Sequence, residues 1–377
     1  MDIKELRKAL DETDQALTSL YQKRLAITEE VALSKLESGK AVLDQERELQ
    51  VLARAAERVS GPQDKKSVRA LYKHIMNVSR NRQYEVIADS RGEDFGFEKA
   101  PLQKEGARIV YQGVEGAYSY QAVLGYFGSV ENAYHVPAFE DVMKEIADGR
   151  ADYGILPAEN SSTGIITQVY DLLNRYDVYI AAKYVVRVEH ALLGIPGGDI
   201  ASVKKVYSHP QGLLQCSRFL TEHNDWEQIS MKNTAVSAQK ILRDADSSQA
   251  AICSPKAAGI YGLDILQENI SDNNSNSTLF LILGSRKCYE KDANEISISF
   301  IAPHETGSLY QILGFINNNN LNMTKIESRP IAGEKWKYRF FIDFIGSLRD
   351  PSVRGALTAI REETDQFKIL GNYIRVN

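Results

Sequence analysis

The sequence predicts a multidomain protein: an all-α three-helix segment, then two α/β lobes, then a small α+β module. Three observations carry that expectation. Only two of the 25 glycines, Gly39 and Gly61, and one of the ten prolines, Pro62, precede residue 92, so the first part of the chain tolerates long helices. Beyond it, short apolar runs alternate with helical patterns, the signature of doubly wound α/β units. From Glu295 onward the pattern spells βαββαβ. The 377 residues, 43% hydrophobic and 25% charged, suffice for two or three cored domains and exclude disorder and fibrous repeats.

Charge narrows the function classes. A net charge of −5 argues against a general nucleic-acid or membrane-surface binder. Residues 1–84 nevertheless carry 16 Lys and Arg against 13 Asp and Glu, a local excess suited to an anionic small molecule. Cys216, Cys253 and Cys288 lack C-x-x-C spacing, so reduced buried thiols are expected, without a disulfide frame or a zinc site. Neither a signal-type apolar core nor a run of about 18 apolar residues occurs, and a cytoplasmic protein is expected.

Apolar residues at Ile3, Leu6, Leu10, Leu17, Leu20, Ile27 and Val31 predict one amphipathic helix from Asp2 to Ser38. A second helix is expected from Asp44 to Val59, stopped by Gly61 and Pro62, and a third from Lys65 to Ile87. A helix of this first length is about 52 Å long, more than a ninety-residue domain can cover, so an intertwined homodimer is expected. Arg24 and Lys35 share a face about 16 Å apart. Asp44, Arg47 and Glu48 stand at i, i+3 and i+4, and Ser79 and Gln83 form an i, i+4 pair. Arg7, about 25 Å from Arg24, is placed to complete a partner chain's pocket. Read from spacing alone, solvated ion pairs remain the alternative.

The run Leu6 to Asp14, Arg24, Lys35, the block Asp44 to Glu48 and the pair Ser79 and Gln83 resemble the all-helical chorismate mutase family over residues 1–90. The resemblance implies that Arg24, the partner's Arg7 and Ser79 bind substrate carboxylates, with Arg47 in support. It implies Lys35 and Gln83 at the ether oxygen, and Asp44 and Glu48 at the hydroxyl. The implied reaction, chorismate to prephenate, is a unimolecular rearrangement that needs no metal or cofactor, only a held conformer and electrostatic stabilisation of the breaking bond.

After a polar linker from Asp89 to Gly106, strands are expected at 108–112, 133–137, 153–156, 178–188, 205–208, 249–253 and 279–283. Neither G-x-G-x-x-G nor G-K-[ST] occurs, so a nucleotide site has no support. Small or capping residues gather at the junctions 113–119, 159–164, 208–211, 233–234 and 254, read as helix starts that together form a polar crevice for an anion. The strings A-D-Y-G-I-L-P-A-E-N-S-S-T-G and V-Y-S-H-P-Q resemble the prephenate dehydratase family over residues 106–284, a two-lobed fold like periplasmic binding proteins. The resemblance implies Asn160, Gln215 and Thr278 in the active site, with Ser161, Ser208 and His209 along its wall. Where that family has T-R-F, this chain reads Thr278-Leu279-Phe280. His190, in an apolar run, reads as a structural histidine, Cys216 as core, and Ser271 to Ser277 as either a lid or a solvent loop.

The βαββαβ segment, 295–377, is similar to an ACT regulatory module. Gly307, Ser308 and Leu309, followed by Tyr310, and then Glu327, Ser328, Arg329 and Pro330 carry that resemblance, which implies L-phenylalanine as an inhibitor bound at a subunit interface. The whole then reads as a bifunctional mutase and dehydratase with no cofactor, binding neither nucleic acid nor membrane. Two alternatives stay open: a mutase whose second lobe is impaired by Leu279, and a phenylalanine-sensing binding protein.

Overall fold

The computed structural model describes residues 2–376 except 332 and 335. The chain forms two compact units, one from residues 1–98 with 293–372, the other from 99–292 with 373–377. The first and last parts of the sequence therefore fold together.

The first unit begins with α1 (Ile3–Ser38), α2 (Gln45–Glu57) and α3 (Pro62–Arg91). Asp44 caps α2, its carboxylate accepting from the Arg47 amide. Gly61 takes φ +87 and Pro62 is the first residue of α3, where its missing N–H costs nothing. The third helix extends to Arg91, through the start of the segment expected as linker; Gly92 in the left-handed conformation ends it. The unit is completed by β11 (Glu295–Ile301), α11 (Ser308–Asn318), β12 (Met323–Pro330), β13 (Tyr338–Ile345), α12 (Pro351–Glu362) and β14 (Asp365–Tyr373), numbered after the strands of the second unit below. Their sheet runs β12-β13-β11-β14, with β13 antiparallel to both β12 and β11.

Helix α3 is the shared wall. One side meets α1 and α2, and the other meets α11 and α12. Asn77 accepts from the Asn318 amide at 2.8 Å and donates to the Gln311 carbonyl at 3.2 Å, while Asn319 donates to Asn81 at 2.7 Å. The asparagine tract at 317–320 thus ends a helix and also binds it to α3. By contrast α1 buries only Thr28 and Ala32; Leu10, Leu17 and Leu20 are 61%, 57% and 67% exposed.

The second unit carries two mixed sheets. Its elements are β1 (Ile109–Gln112), α4 (Tyr118–Phe127), β2 (Ala133–Val136), α5 (Phe139–Ala147), β3 (Tyr153–Asn160), α6 (Thr167–Arg175), β4 (Tyr179–Arg187) and β5 (Ala191–Gly194). Then follow β6 (Lys205–Ser208), α7 (Pro210–Leu214), α8 (Ser217–Glu222), β7 (Glu227–Ser230), α9 (Thr234–Asp244), β8 (Gln249–Cys253), α10 (Pro255–Tyr261), β9 (Asp264–Gln267) and β10 (Ser277–Gly284). One sheet is ordered β2-β1-β3-β10-β4, the other β9-β5-β8-β6-β7. Strands β10 and β5 run antiparallel to their neighbours, which a purely doubly wound pattern does not provide. Ile155, Phe280 and Ile282 fill the first core, and Leu193, Ala251, Cys253 and Trp226 lie in those of the second.

One sequence expectation is corrected here. Residues 159–164 do not start a helix: β3 continues to Asn160, the chain turns, and α6 begins at Thr167. Residues 271–276 form a loop that crosses back between the sheets, exposed at 273–275 and held at its ends by Val188 N–H to Asn276 O at 2.8 Å and His190 N–H to Ser271 Oγ at 3.1 Å, with Asn276 buried. Strands β5, β7 and β9, each four residues long, went unforeseen. Among the described residues no helix is long and apolar enough to cross a membrane.

A Cβ on Gly355 of α12 would meet Glu85 Cγ at 2.6 Å and its Cα at 3.1 Å, so the two helices touch there backbone to backbone. Gly355→Ala is expected to destabilise the protein by about 1–3 kcal/mol. Gly259→Ala, where nothing lies within 4 Å, is expected to be neutral or stabilising. Calorimetric unfolding of both variants checks this, and an unchanged midpoint for Gly355→Ala would show that the contact gives way.

Candidate active sites

The first candidate is a cavity of about 320 Å³ enclosed by α1, α2 and α3. Arg24, Lys35, Asp44, Arg47, Glu48, Ser79 and Gln83 all line it. The first two come from α1 three turns apart, the next three from the cap and first turn of α2, and the last two from the buried face of α3. Arg24 donates to the Ser79 hydroxyl, and Lys35 Nζ donates to the Val42 carbonyl at 2.6 Å. Burial lowers the Lys35 ammonium from its ordinary value, while Asp44 and Glu48 oppose that fall and Arg80 adds to it. Gln83 Oε1 is buried without a hydrogen-bond partner, an acceptor that a ligand can satisfy. Arg7 is exposed and lies outside this group.

Arg80 was missed by sequence reasoning. It lines the same cavity, is 3% exposed and forms an ion pair with Glu48. An arginine one residue past Ser79 carries no spacing signal of its own; only the packing of α3 turns it inward.

The second candidate is a cavity of about 280 Å³ in the unit with two sheets. Thr278 and Asn160 face each other across the antiparallel pair β10 and β3. Asn160 Nδ2 donates to Thr278 Oγ1 at 3.0 Å and to Asn276 Oδ1 at 2.9 Å, and Asn160 Oδ1 accepts from the amides of Ser162 and Thr163. The asparagine is thereby locked. Since the Thr278 oxygen accepts from it, the hydroxyl hydrogen is left to donate into the cavity. From the other sheet, Gln215 Oε1 lies 2.8 Å from His190 Nε2, which must be the donor, and leaves the Gln215 amide NH2 for the cavity. His190 Nδ1 lies 3.2 Å from the Tyr118 hydroxyl, which donates to the Glu189 carbonyl. His190 is buried behind Gln215, and it and Tyr118 both line the cavity.

The wall residues divide. His209 lines the cavity and caps α7, its Nδ1 accepting from the Gln211 amide. Ser208 does not: fully buried, it donates to the Ile252 carbonyl at 2.7 Å. Ser161 is taken up in the turn, accepting from the Ser277 amide at 3.0 Å. Leu279 is also off the cavity. Thr278 and Phe280 line it, and strand alternation points the residue between them to the other face. Cys216 is fully buried, its thiol pushed up to about 12 by burial.

In the C-terminal segment Gly307, at φ +87, precedes α11, and the Ser308 hydroxyl donates to Pro303 O at 2.6 Å. Leu309 is half-buried and Tyr310 exposed. Glu327, Ser328, Arg329 and Pro330 end β12, Glu327 and Arg329 half-buried and the other two exposed. Among the described residues no group of three or more His, Cys, Asp or Glu is arranged to hold a metal ion.

A three-helix pocket of this kind followed by a cleft between two mixed sheets defines the class. Residues 6–84 match the family described as chorismate mutase type II, and residues 109–288 match the family described as prephenate dehydratase. A bifunctional chorismate mutase/prephenate dehydratase of Neisseria gonorrhoeae is 31% identical over 97% of this chain and 95% of its own. Among solved structures, a prephenate dehydratase from Arthrobacter aurescens in complex with L-Phe is 26% identical with a TM-score of 0.65, over 71% of this chain and 90% of that one. A quorum-quenching acylase, GqqA, is 29% identical with a TM-score of 0.66 over 71% and 98%. The chain belongs to the bifunctional chorismate mutase/prephenate dehydratase family.

Burial holds His190 below its ordinary value, partly offset by the Gln215 hydrogen bond. A depressed histidine contributes stability that is complete above the unfolded value of about 6.5 and is lost as pH falls through the folded one. Between about pH 7.5 and about pH 5 the thermal midpoint of the protein is therefore expected to fall more steeply than that of His190→Asn, and parallel curves would refute this.

Proposed function

We propose that the pocket of α1, α2 and α3 rearranges chorismate to prephenate, and that the cleft dehydrates and decarboxylates prephenate to phenylpyruvate. The observation that carries the reading is the convergence of seven polar side chains, distant in sequence, on one small cavity whose cations and hydrogen-bonding groups suit a compact dicarboxylate. Arg24, supported by Arg47 and joined by the partner chain's Arg7, binds the carboxylates, with Ser79 beside Arg24. Lys35 and the remaining N–H of the Gln83 amide donate to the ether oxygen, and Glu48 with Asp44 meets the hydroxyl. Catalysis then consists of orientation and of charge stabilisation at the breaking bond, where a single cation of this type contributes on the order of 3 kcal/mol. The exposed leucines of α1 support a homodimer, because a partner helix laid along them would bury that stripe and bring its Arg7 to the pocket.

In the cleft, Thr278 donates a hydrogen bond to the departing ring hydroxyl, which leaves as water with a proton taken from solvent, Asn160 orients Thr278, and the Gln215 amide binds substrate with His190 behind it. The first residues of α4 and α9 line the cavity and offer helix N-termini to the two carboxylates. Loss of carbon dioxide with aromatisation drives the step forward. Because Leu279 faces away from the cavity, its replacement of the family arginine bears less on turnover than its place beside Thr278 implies.

The order βαββαβ and the sheet order support an ACT module at the C-terminus with L-phenylalanine as feedback inhibitor. Residues 109–288 are less than half the chain, whereas the Arthrobacter dehydratase with bound L-Phe spans 71% of it.

Lys35→Ala is expected to lower mutase turnover at least about a hundredfold with prephenate dehydration retained. Thr278→Val is expected to do the converse. A time course from chorismate and a second from prephenate, following phenylpyruvate, check both; Leu279→Arg should leave dehydration within about twofold. Near-normal mutase turnover in Lys35→Ala would refute the site assignment. Titration with L-phenylalanine should inhibit dehydration more than rearrangement, by a coupling of about 1–3 kcal/mol, and equal inhibition of both would count against the ACT assignment.

A further inference from the structure

A buried chain of charge leaves the helical pocket and enters the C-terminal segment within the same unit. Arg80 donates through Nη1 to the Glu48 carboxylate and through Nε to Glu363 Oε1 at 2.8 Å. Glu363 is the residue that ends α12, and its side chain is 6% exposed, against 4% for Arg80 and 26% for Glu48. Tyr84, one turn along α3 from Arg80, is hydrogen-bonded to the same carboxylate. Burial pushes the Glu363 carboxyl above its ordinary value, while Arg80 and Tyr84 pull against it. On either side the helices are tied: Asn77 and Asn81 hold α11, and Gly355 lets α12 approach α3 at backbone distance.

We infer that Glu363 is a positioning residue for the chorismate rearrangement, acting through Arg80 on Glu48, so that the helical site is completed by the C-terminal segment. The inference rests on the reading of Glu48 as a substrate contact.

The physics is a division of donors. One guanidinium offers five N–H groups in a rigid fork. With Glu363 on the Nε edge, Glu48 receives a single contact at Nη1 and keeps an oxygen for the substrate hydroxyl. Without Glu363, a buried guanidinium retains one counter-ion and gains by closing a bidentate pair with Glu48, which consumes that oxygen. Arg24 and Arg47, which hold the carboxylates, are untouched. The consequence is a loss in kcat with little change in KM.

The test uses the full-length protein and chorismate. Glu363→Ala is expected to lower mutase kcat about tenfold, with KM within about twofold, and to leave phenylpyruvate formation from added prephenate unchanged. Glu363→Gln, which keeps the acceptor and the volume, guards against a folding defect and should lose about threefold in kcat. Because Glu363 acts through Arg80, Arg80→Leu and Arg80→Leu/Glu363→Leu should have the same kcat, whereas independent structural effects would add. Unchanged kcat in both Glu363 variants, or additivity in the double variant, overturns the inference. Glu48→Ala separates the two layers of the argument: if it retains turnover, the reading of the site has failed, and if it alone loses turnover, only the role of Glu363 has.

Discussion

The satisfaction of polar groups buried along α3 is the constraint on which the first unit depends. Asn77, Ser79, Arg80, Asn81 and Gln83 are each less than a tenth exposed on one helix. Desolvating such groups is costly unless each finds a partner, and α3 supplies only part of what they need, Ser79 donating to the Ile75 carbonyl, Asn81 to Glu85 and Gln83 to the Ser79 carbonyl. Arg24 and Glu48 answer from α1 and α2, while Gln311, Asn318, Asn319 and Glu363 answer from the C-terminal segment. The one acceptor left over, Gln83 Oε1, lies on the cavity wall. A polar helix buried from two sides is thus both the structural joint of the unit and the wall of its site.

The second unit solves a different problem with the same economy. Its cavity must hold a charged substrate yet release product, and it is walled by side chains whose spare hydrogen-bonding capacity has been used up elsewhere. Asn160 spends both ends of its amide on Thr278 and the following turn, and His190 spends its N–H on Gln215. What remains free is a hydroxyl hydrogen and an amide NH2, aimed by neighbours that cannot reorient without breaking several bonds. The crossing segments at 188–190 and 271–276 are hydrogen-bonded to each other close to these groups.

Much of this was legible in the linear sequence for a physical reason. Helical periodicity is local, so α1, α2 and α3 and the face that carries Arg24, Lys35, Glu48, Ser79 and Gln83 could be read from spacing and resemblance together. Strands β5, β7 and β9 could not, nor could the turn at 159–164, where capping residues serve a strand end as readily as a helix start. Ser208 illustrates the limit: its position at a strand end matches a wall residue, but its hydroxyl is claimed by Ile252 on a neighbouring strand. Leu279 shows it in reverse, since adjacency to Thr278 in the chain means opposite faces in a strand.

By itself the sequence determined the three long helices and most of the strands, the two catalytic families and the residue types offered to each site, because these follow from local pattern and from strings long enough to be specific. Tertiary structure alone decided which offers were taken. That Arg80 turns into the helical pocket, that His190 stands behind Gln215, and that the C-terminal segment folds against α3 rather than apart from it are outcomes of partner-finding among buried polar groups. Such partners lie up to 283 residues away in the chain, and no local pattern encodes a pairing whose reason is the cost of burying a charge alone.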